Sequence, residues 1–443
     1  MSNYLSVTDE EKKQMLESIG VKTADELFAD INKDLWLRKL NMPDGKSQQE
    51  VMEIMSDLAA KNKVYRSIMR GAGAYWHYTP SAVKNLAGRS EFVTGYTPYQ
   101  AELSQGVLQS IFEYQSMICQ LTGMDVSNAS VFSGATAAAE GILMCEGQRK
   151  KVLVPDNINP ETTAVIKTYL SRKGMEIIPL PVVDGLVNYD ALRGMVNQEI
   201  ACIYFEQPNY FGLIEDAEEI VRIVHDCGGK VVTGCNPLSL ALLKSPGECG
   251  ADIAVGDAGC FGLPLSFGGP YIGFMACTAK EMRRLPGRIV GETLDKNGKR
   301  AYVLTLQARE QHIRREKASS NICTNQAHCA LTAGIYLAAM GPNGLKEVST
   351  SCTSMAHYAA EEMVKVGATL KYSEIQNGDV IKGEFFHEFV TVHKGKAAKI
   401  IERLAKDDIL AGLELDKNEI LWCFTEMVKK EDVDAAIEAV RRG

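Results

Sequence analysis

The period of the hydrophobic positions changes along this chain. After Ser47 the apolar residues Val51, Ile54, Met55, Leu58 and Ala59 fall on one helical face. Three Ser/Thr-x-x-Glu capping boxes, Thr8 with Glu11, Thr23 with Glu26 and Ser47 with Glu50, mark helix starts in the same region. Residues 1–65 therefore read as a helical extension packed on a larger body. From about Gly71 the texture changes. A long helix is predicted over 99–123, burying Leu103, Val107, Leu108, Ile111, Phe112 and Ile118. Short apolar runs at 152–154, 176–180, 202–205, 230–233, 253–255 and 271–276 then alternate with amphipathic stretches at 160–172, 190–196 and 215–227. Strands alternating with helices need crossovers, which predicts a largely parallel sheet covered on both faces. Beyond Gly341 the order becomes helix, strand, strand, helix, strand, helix, the pattern of a small α+β domain. The expected division is 1–65, 66–340 and 341–443.

Composition narrows the function classes. Lys plus Arg number 48 against 56 Asp plus Glu, a net charge of −8, so a polyanion is not a natural partner and no nucleic acid is expected. No apolar run reaches the ~18 residues of a membrane span, and the N-terminus lacks a basic region followed by an apolar one. The 12 cysteines are scattered without a C-x-x-C, the usage of free thiols in a reducing compartment; the expected location is the cytoplasm.

Several motif fragments fail on context. Gly45-Lys46-Ser47 resembles the end of a phosphate-binding P-loop, but Leu40 stands where that loop needs its first glycine, so Ser47 reads as a helix cap. The run Gly256-Asp257-Ala258-Gly259-Cys260-Phe261-Gly262 has the wrong spacing for a dinucleotide loop. His387-Glu388 and His393 lie in an alternating, strand-like run, where a helical zinc pair cannot form, and nothing near His328-Cys329 completes a tetrahedral set. No metal is expected. No G-x-S-x-G nucleophile elbow exists.

Three segments are denser in chemistry. The first, 95–106, sets Tyr96, Tyr99, Gln100, Glu102 and Ser104 ahead of the long helix; it reads as pocket lining or as a helix N-terminal turn. The second, Ser133-Gly134-Ala135-Thr136, is a small-residue turn opening a helix. It can hold an anion on free amides or simply pack a helix tightly against the sheet. The third, 307–325, carries Arg309, His312, Arg314, Arg315 and Lys317 with Asn321 and Asn325. Its cations suit carboxylate or phosphate recognition, a subunit contact, or a solvated face.

The stretches GAGAYWHYTP, EFVTGYTPYQAELSQG, LTGMDVSNAS, GATAAAEG, PLSFGGPYIGF, LPGRIVGET and LTLQAREQHIRREKASSNICTNQ, spread from Gly71 to Gln326, closely resemble the P-protein (glycine decarboxylase) family of the glycine cleavage system, in particular subunit 1 of the two-subunit bacterial form. The resemblance implies an α/β fold of the fold-type-I, aspartate-aminotransferase-like pyridoxal-phosphate class, with a mainly parallel sheet sandwiched by helices. It implies decarboxylation of glycine and transfer of the aminomethyl group to the lipoyl arm of H-protein. It further implies that pyridoxal phosphate is held by a second subunit, in an α2β2 assembly. Laid on the partner subunit's loop, the Schiff-base lysine falls on Gly259 and the ring-nitrogen aspartate on Thr233. Neither can replace the original group, and Gly256 to Gly273 contains no lysine.

On this reading no residue of this chain is catalytic by itself. The chain walls the partner's site, excluding water, with Tyr96, Tyr99, Gln100, Glu102 and Ser104, and with His77, Arg309, His312, Arg314 and Asn325 beside them. The turn Ser133–Thr136 is a vestigial phosphate seat. The alternative is a self-sufficient aminotransferase or decarboxylase using another lysine, with Lys244 and Lys230 as the candidates.

Overall fold

Two of the three capping boxes close as the sequence predicts. Thr8 and Ser47 accept the Glu11 and Glu50 amides at the starts of helices Asp9–Ser18 and Gln48–Ala59, and each glutamate reaches back to the cap's own N–H. Thr23 caps no amide; a short 3-10 turn, Ala24–Phe28, follows it instead. The computed structural model describes residues 6–37, 41–171, 173–376 and 378–442, so parts of the stretch read as helical, 1–5 and 38–40, lie outside the described residues. The chain divides into units Met1–Val64 and Tyr65–Gly443. Within the first, Val51, Ile54, Met55 and Leu58 stay exposed.

In the second unit a seven-stranded sheet runs, edge to edge, Val126–Ser127, Gly273–Cys277, Ile253–Asp257, Lys230–Cys235, Ile200–Gln207, Lys151–Pro155 and Glu176–Leu180. From Ile253–Asp257 to Glu176–Leu180 every neighbour is parallel; Gly273–Cys277 is antiparallel to both of its neighbours. The expected strands are all present and most extend by one or two residues. Both faces are covered, which is why the strands read as unbroken apolar runs rather than alternating ones. One face packs Ile220 and Val224 of helix Ala217–Asp226 with Tyr114, Phe261 and Phe274. On the other, Ala137, Ala138 and Ile142 of helix Gly134–Met144 lie against Val152, Val232 and Val255.

The long helix expected at 99–123 starts later, at Gln105, and ends at Thr122 with Gly123 left-handed at φ 67°. Ser104 leaves helical geometry and a 3-10 turn, Ala101–Leu103, precedes it. That break shifts the phase, so Leu103 is 83% exposed rather than buried with Leu108, Ile111 and Ile118. Two glutamines of this helix dock the hairpin Ile289–Leu294/Arg300–Thr305. The Gln115 side-chain amide donates to the Val290 carbonyl (2.9 Å) and accepts the Val290 N–H (2.9 Å); Gln105 pairs with Tyr302 in the same way.

The helical segment Ala327–Lys365 spans the boundary expected at 340/341. There Gly341 (φ 60°, ψ −177°) leaves helical geometry just before Pro342, so two helices meet at a kink at the expected boundary. The first half packs Ala330, Ala333 and Tyr336 on the large sheet, and the second half packs Ala356, Ala359, Ala360 and Met363 on a second core. That core belongs to an antiparallel sheet ordered Thr369–Leu370, Glu388–Val392, Glu419–Cys423, Leu413–Asp416, with Trp422, Phe389 and Phe424 at its centre. Helices Ala397–Lys406 and Lys430–Arg441 cover it. All twelve cysteines are free thiols, and eight are buried as small apolar groups. Among the described residues no helix is long and apolar enough to cross a membrane.

Candidate functional site

Parallel sheets place their ligand crevices at the carboxyl ends of the strands. There, where Ile200–Gln207, Lys230–Cys235 and Ile253–Asp257 end, lies a cavity of about 480 Å3. Its wall draws on three of the resembling stretches: Ala72–Tyr75, the turn Ser133–Ala135, and the loop through Pro264 to Tyr271. Close approach explains the first glycine of GAGAYWHYTP. A Cβ on Gly71 would lie 2.4 Å from Glu388 Oε1 and 2.9 Å from Cys423 Cβ.

The polar lining is acidic. Glu388 accepts the Ala72 N–H (2.7 Å) and the Tyr75 hydroxyl (2.8 Å), and burial pushes its carboxyl up to about 7 against those two donors. Glu206, at the end of its strand, accepts the Asn159 N–H (2.9 Å) and the Tyr204 hydroxyl (3.0 Å); burial likewise raises it to about 7. Asp257 accepts the amides of Gly134 (3.0 Å) and Gly259 (2.9 Å), and burial raises it to about 6. Glu161 also lines the cavity, and the lining contains no lysine, arginine or histidine.

Pyridoxal phosphate does not fit this donor set. Gly259 stands in the wall without an amine, the Gly134 amide of the phosphate turn is taken by Asp257, and no cation is present to balance a phosphate. Thr233 is buried next to the lining residues Gly234, Cys235 and Asn236, does not itself line the cavity, and its hydroxyl has no partner. The alternative lysines lie outside the cavity: Lys244 is exposed and paired with Glu218 (2.9 Å), and Lys230 with Glu281 (2.5 Å).

The residues expected to wall a shared site separate into groups. Tyr96 and Tyr99 are 84% and 57% exposed, next to the exposed Gln100 and Glu102, with Ser104 half-buried. Under Tyr99 sits a buried guanidinium. Arg288 donates to the Tyr99 hydroxyl (3.2 Å) and to Asn325 Oδ1 (3.0 Å), with its guanidinium carbon 5.5 Å from the Tyr99 ring centroid. Asn325 in turn donates to Ser130 Oγ (2.9 Å). Four of the resembling stretches meet in this chain of contacts. Arg288 makes no ion pair among the described residues, and its Nε has no partner.

His77 lies elsewhere. Its ring is almost wholly buried, with Nδ1 2.8 Å from Glu426 Oε2, and the Cys352 thiol donates to the same oxygen (3.4 Å). These three make the one grouping of metal-ligating side chains among the described residues, joined here by hydrogen bonds. Arg309 turns inward, donating to the carbonyls of Leu285 and Gly287, and burial lowers its pKa against the opposing charge of Glu310. His312 and Arg314 are exposed on a single helical turn, Gln311–Arg314. Within Ser133–Thr136, Ser133 Oγ caps the Thr136 amide (3.3 Å).

The reading from residues alone missed Glu206, Asp257, Glu388 and Arg288. Asp257 had a signal in the sequence, two places before Gly259, and Arg288 stands in the resembling stretch LPGRIVGET. Glu388 reads in the sequence as a fragment of a zinc motif, and its role depends on a contact 316 residues away in the chain.

A sequence profile described as "Glycine cleavage system P-protein" matches residues 2–440. The chain is 49% identical, over 98% of both sequences, to the probable glycine dehydrogenase (decarboxylating) subunit 1 of Desulfitobacterium hafniense. A crystal structure of glycine decarboxylase (P-protein) of the glycine cleavage system, in inhibitor-bound form, superposes with a TM-score of 0.91 at 38% identity, covering all of both chains. An aspartate aminotransferase of Thermus thermophilus aligns at 12% identity and TM-score 0.57 over 85% of this chain and 98% of its own, a likeness of fold alone.

Proposed function

The chain belongs to the glycine cleavage system P-protein family, and from that premise we propose that it is the first subunit of a two-subunit glycine dehydrogenase (decarboxylating). It completes an active site whose cofactor, pyridoxal phosphate, is held by the second subunit. The observation that carries this reading is the cavity itself: it lies at the carboxyl ends of the parallel strands, where such folds bind ligands, yet offers carboxylates and no amine. The cofactor's carbon chemistry therefore belongs to the companion chain, in an α2β2 enzyme acting in the cytoplasm, with glycine as substrate and the lipoyl arm of H-protein as acceptor.

This chain's contribution is the exposed surface around Tyr96 and Tyr99. Two phenols with Gln100, Glu102 and Ser104 supply hydrogen-bonding groups on a rigid base, because Arg288 and Asn325 fix Tyr99 from beneath. Asn325 joins the wall through Arg288. His312 and Arg314 lie in the exposed basic segment open to the partner subunit or to H-protein. Arg309 braces the wall from behind through the carbonyls of the loop that carries Arg288, while His77 belongs to a separate buried cluster with Glu426 and Cys352.

Two measurements test the reading. The purified chain with excess pyridoxal phosphate should give no internal-aldimine absorbance and no borohydride-trapped lysine adduct; a stoichiometric adduct overturns it. In the reconstituted two-subunit enzyme, Tyr99→Phe should lower bicarbonate–glycine exchange at least about tenfold, as expected for loss of a positioning hydrogen bond. Unchanged exchange would reduce this chain to a scaffold.

A further inference from the structure

The turn Ser133–Thr136 has the parts of a phosphate seat, yet its first amide is occupied from within the protein. Asp257 Oδ2 accepts the Gly134 N–H at 3.0 Å, and Asp257 Oδ1 accepts the Gly259 N–H at 2.9 Å. The fit is close: a Cβ on Gly134 would come within 3.0 Å of the Asp257 backbone nitrogen and Cβ. The helix that begins here, Gly134–Met144, has no acidic residue in its first turn, so Asp257 is a carboxylate brought to its positive end by the fold.

We infer that Asp257 is the specificity residue that closes this chain's own cavity to phosphorylated ligands, occupying with its carboxylate the place a phosphate would take. A phosphate arriving at this turn finds the Gly134 amide already used. It also meets the Asp257 carboxylate at hydrogen-bond range, with Glu161 and the partly protonated Glu206 and Glu388 in the same wall and no cation to offset them. Besides the ring-nitrogen aspartate replaced at Thr233, two changes separate this chain from a cofactor-binding one: a lysine is missing at Gly259, and a carboxylate fills the phosphate seat. The second is independent of the first, since it excludes ligands that form no covalent bond.

The inference rests on the reading that the cofactor belongs to the partner, and its test keeps the two apart by using a probe without an aldehyde. Pyridoxamine 5′-phosphate binding to the full-length chain is followed by its own fluorescence and by calorimetry, with pyridoxamine as the control lacking phosphate. Wild type should bind neither. Asp257→Ser, checked for wild-type circular dichroism and melting, should bind the phosphorylated probe at least about a hundredfold more tightly than wild type and leave pyridoxamine unbound. Asp257→Asn keeps the shape and removes the charge, so it should also bind more tightly than wild type, which preserves the test if the serine variant does not fold. The inference is overturned if wild type binds the phosphorylated probe as well as the variants do. It is equally overturned if a folded variant gains nothing, or gains affinity for both probes alike. A borohydride-trapped adduct of wild type with pyridoxal phosphate would instead defeat the division of labour between the subunits.

Discussion

Replacing Glu388 by glutamine should remove a pH dependence from the stability of this protein. Glu388 is 3% exposed and its carboxyl is raised to about 7 from an ordinary value of 4.5, with burial as the largest cause and the nearby Glu206 charge adding to it. A raised carboxyl binds its proton more tightly in the folded state than in the unfolded state. Its contribution to stability is therefore complete below about pH 4.5 and is lost as the pH rises through about 7. Each tenfold difference in proton affinity between the two states is worth about 1.4 kcal/mol, so the full loss is about 3 kcal/mol, of which about 2 to 3 falls between pH 5 and pH 8. Glutamine presents a neutral group of the same shape, so the stability difference between variant and wild type should move in the variant's favour by that amount over the interval. Trp422, fully buried in the strand that pairs with Glu388, gives a fluorescence signal for urea unfolding. Parallel pH profiles for the two proteins would refute the argument, because they would mean that Glu388 is ionised at no cost in the folded state.

Gln115→Leu keeps the bulk but leaves the buried N–H and C=O of Val290 without partners. It should cost about 2 to 5 kcal/mol and make the hairpin Ile289–Thr305 sensitive to limited proteolysis; wild-type resistance would show that the docking amide is dispensable. Gly71→Ala forces a methyl against Glu388, Tyr75 and Cys423, so a loss of about 1 to 3 kcal/mol in urea unfolding is expected. For Tyr99→Phe, whose side chain is mostly exposed, the isolated chain should unfold within about 0.5 kcal/mol of wild type, which assigns its loss of exchange rate to the assembled site.

The order of strands and helices was legible in the residues because burial on both faces writes itself as apolar runs, and amphipathic helices as a 3.6-residue period. The run Glu176–Leu180 appears as a strand at the bounds its residues suggest, and two of the three capping boxes close. The absence of lysine between Gly256 and Gly273 was also local, legible in one loop of the sequence. Where local pattern failed, the cause lay in contacts between distant segments. Leu103 keeps the helical spacing yet faces solvent, because Ser104 breaks the phase and Gln105 is committed to Tyr302. At the boundary expected at Gly341 two helices follow one another across a single non-helical residue with no linker, and one half packs on each core. Which charges gather in the cavity was not written in any one segment. Asp257, Glu206 and Glu388 come from three strands in two different sheets, and a carboxylate's chemistry depends on the water it loses and the amides it gains. Those are properties of the packed chain, and only the tertiary structure sets them.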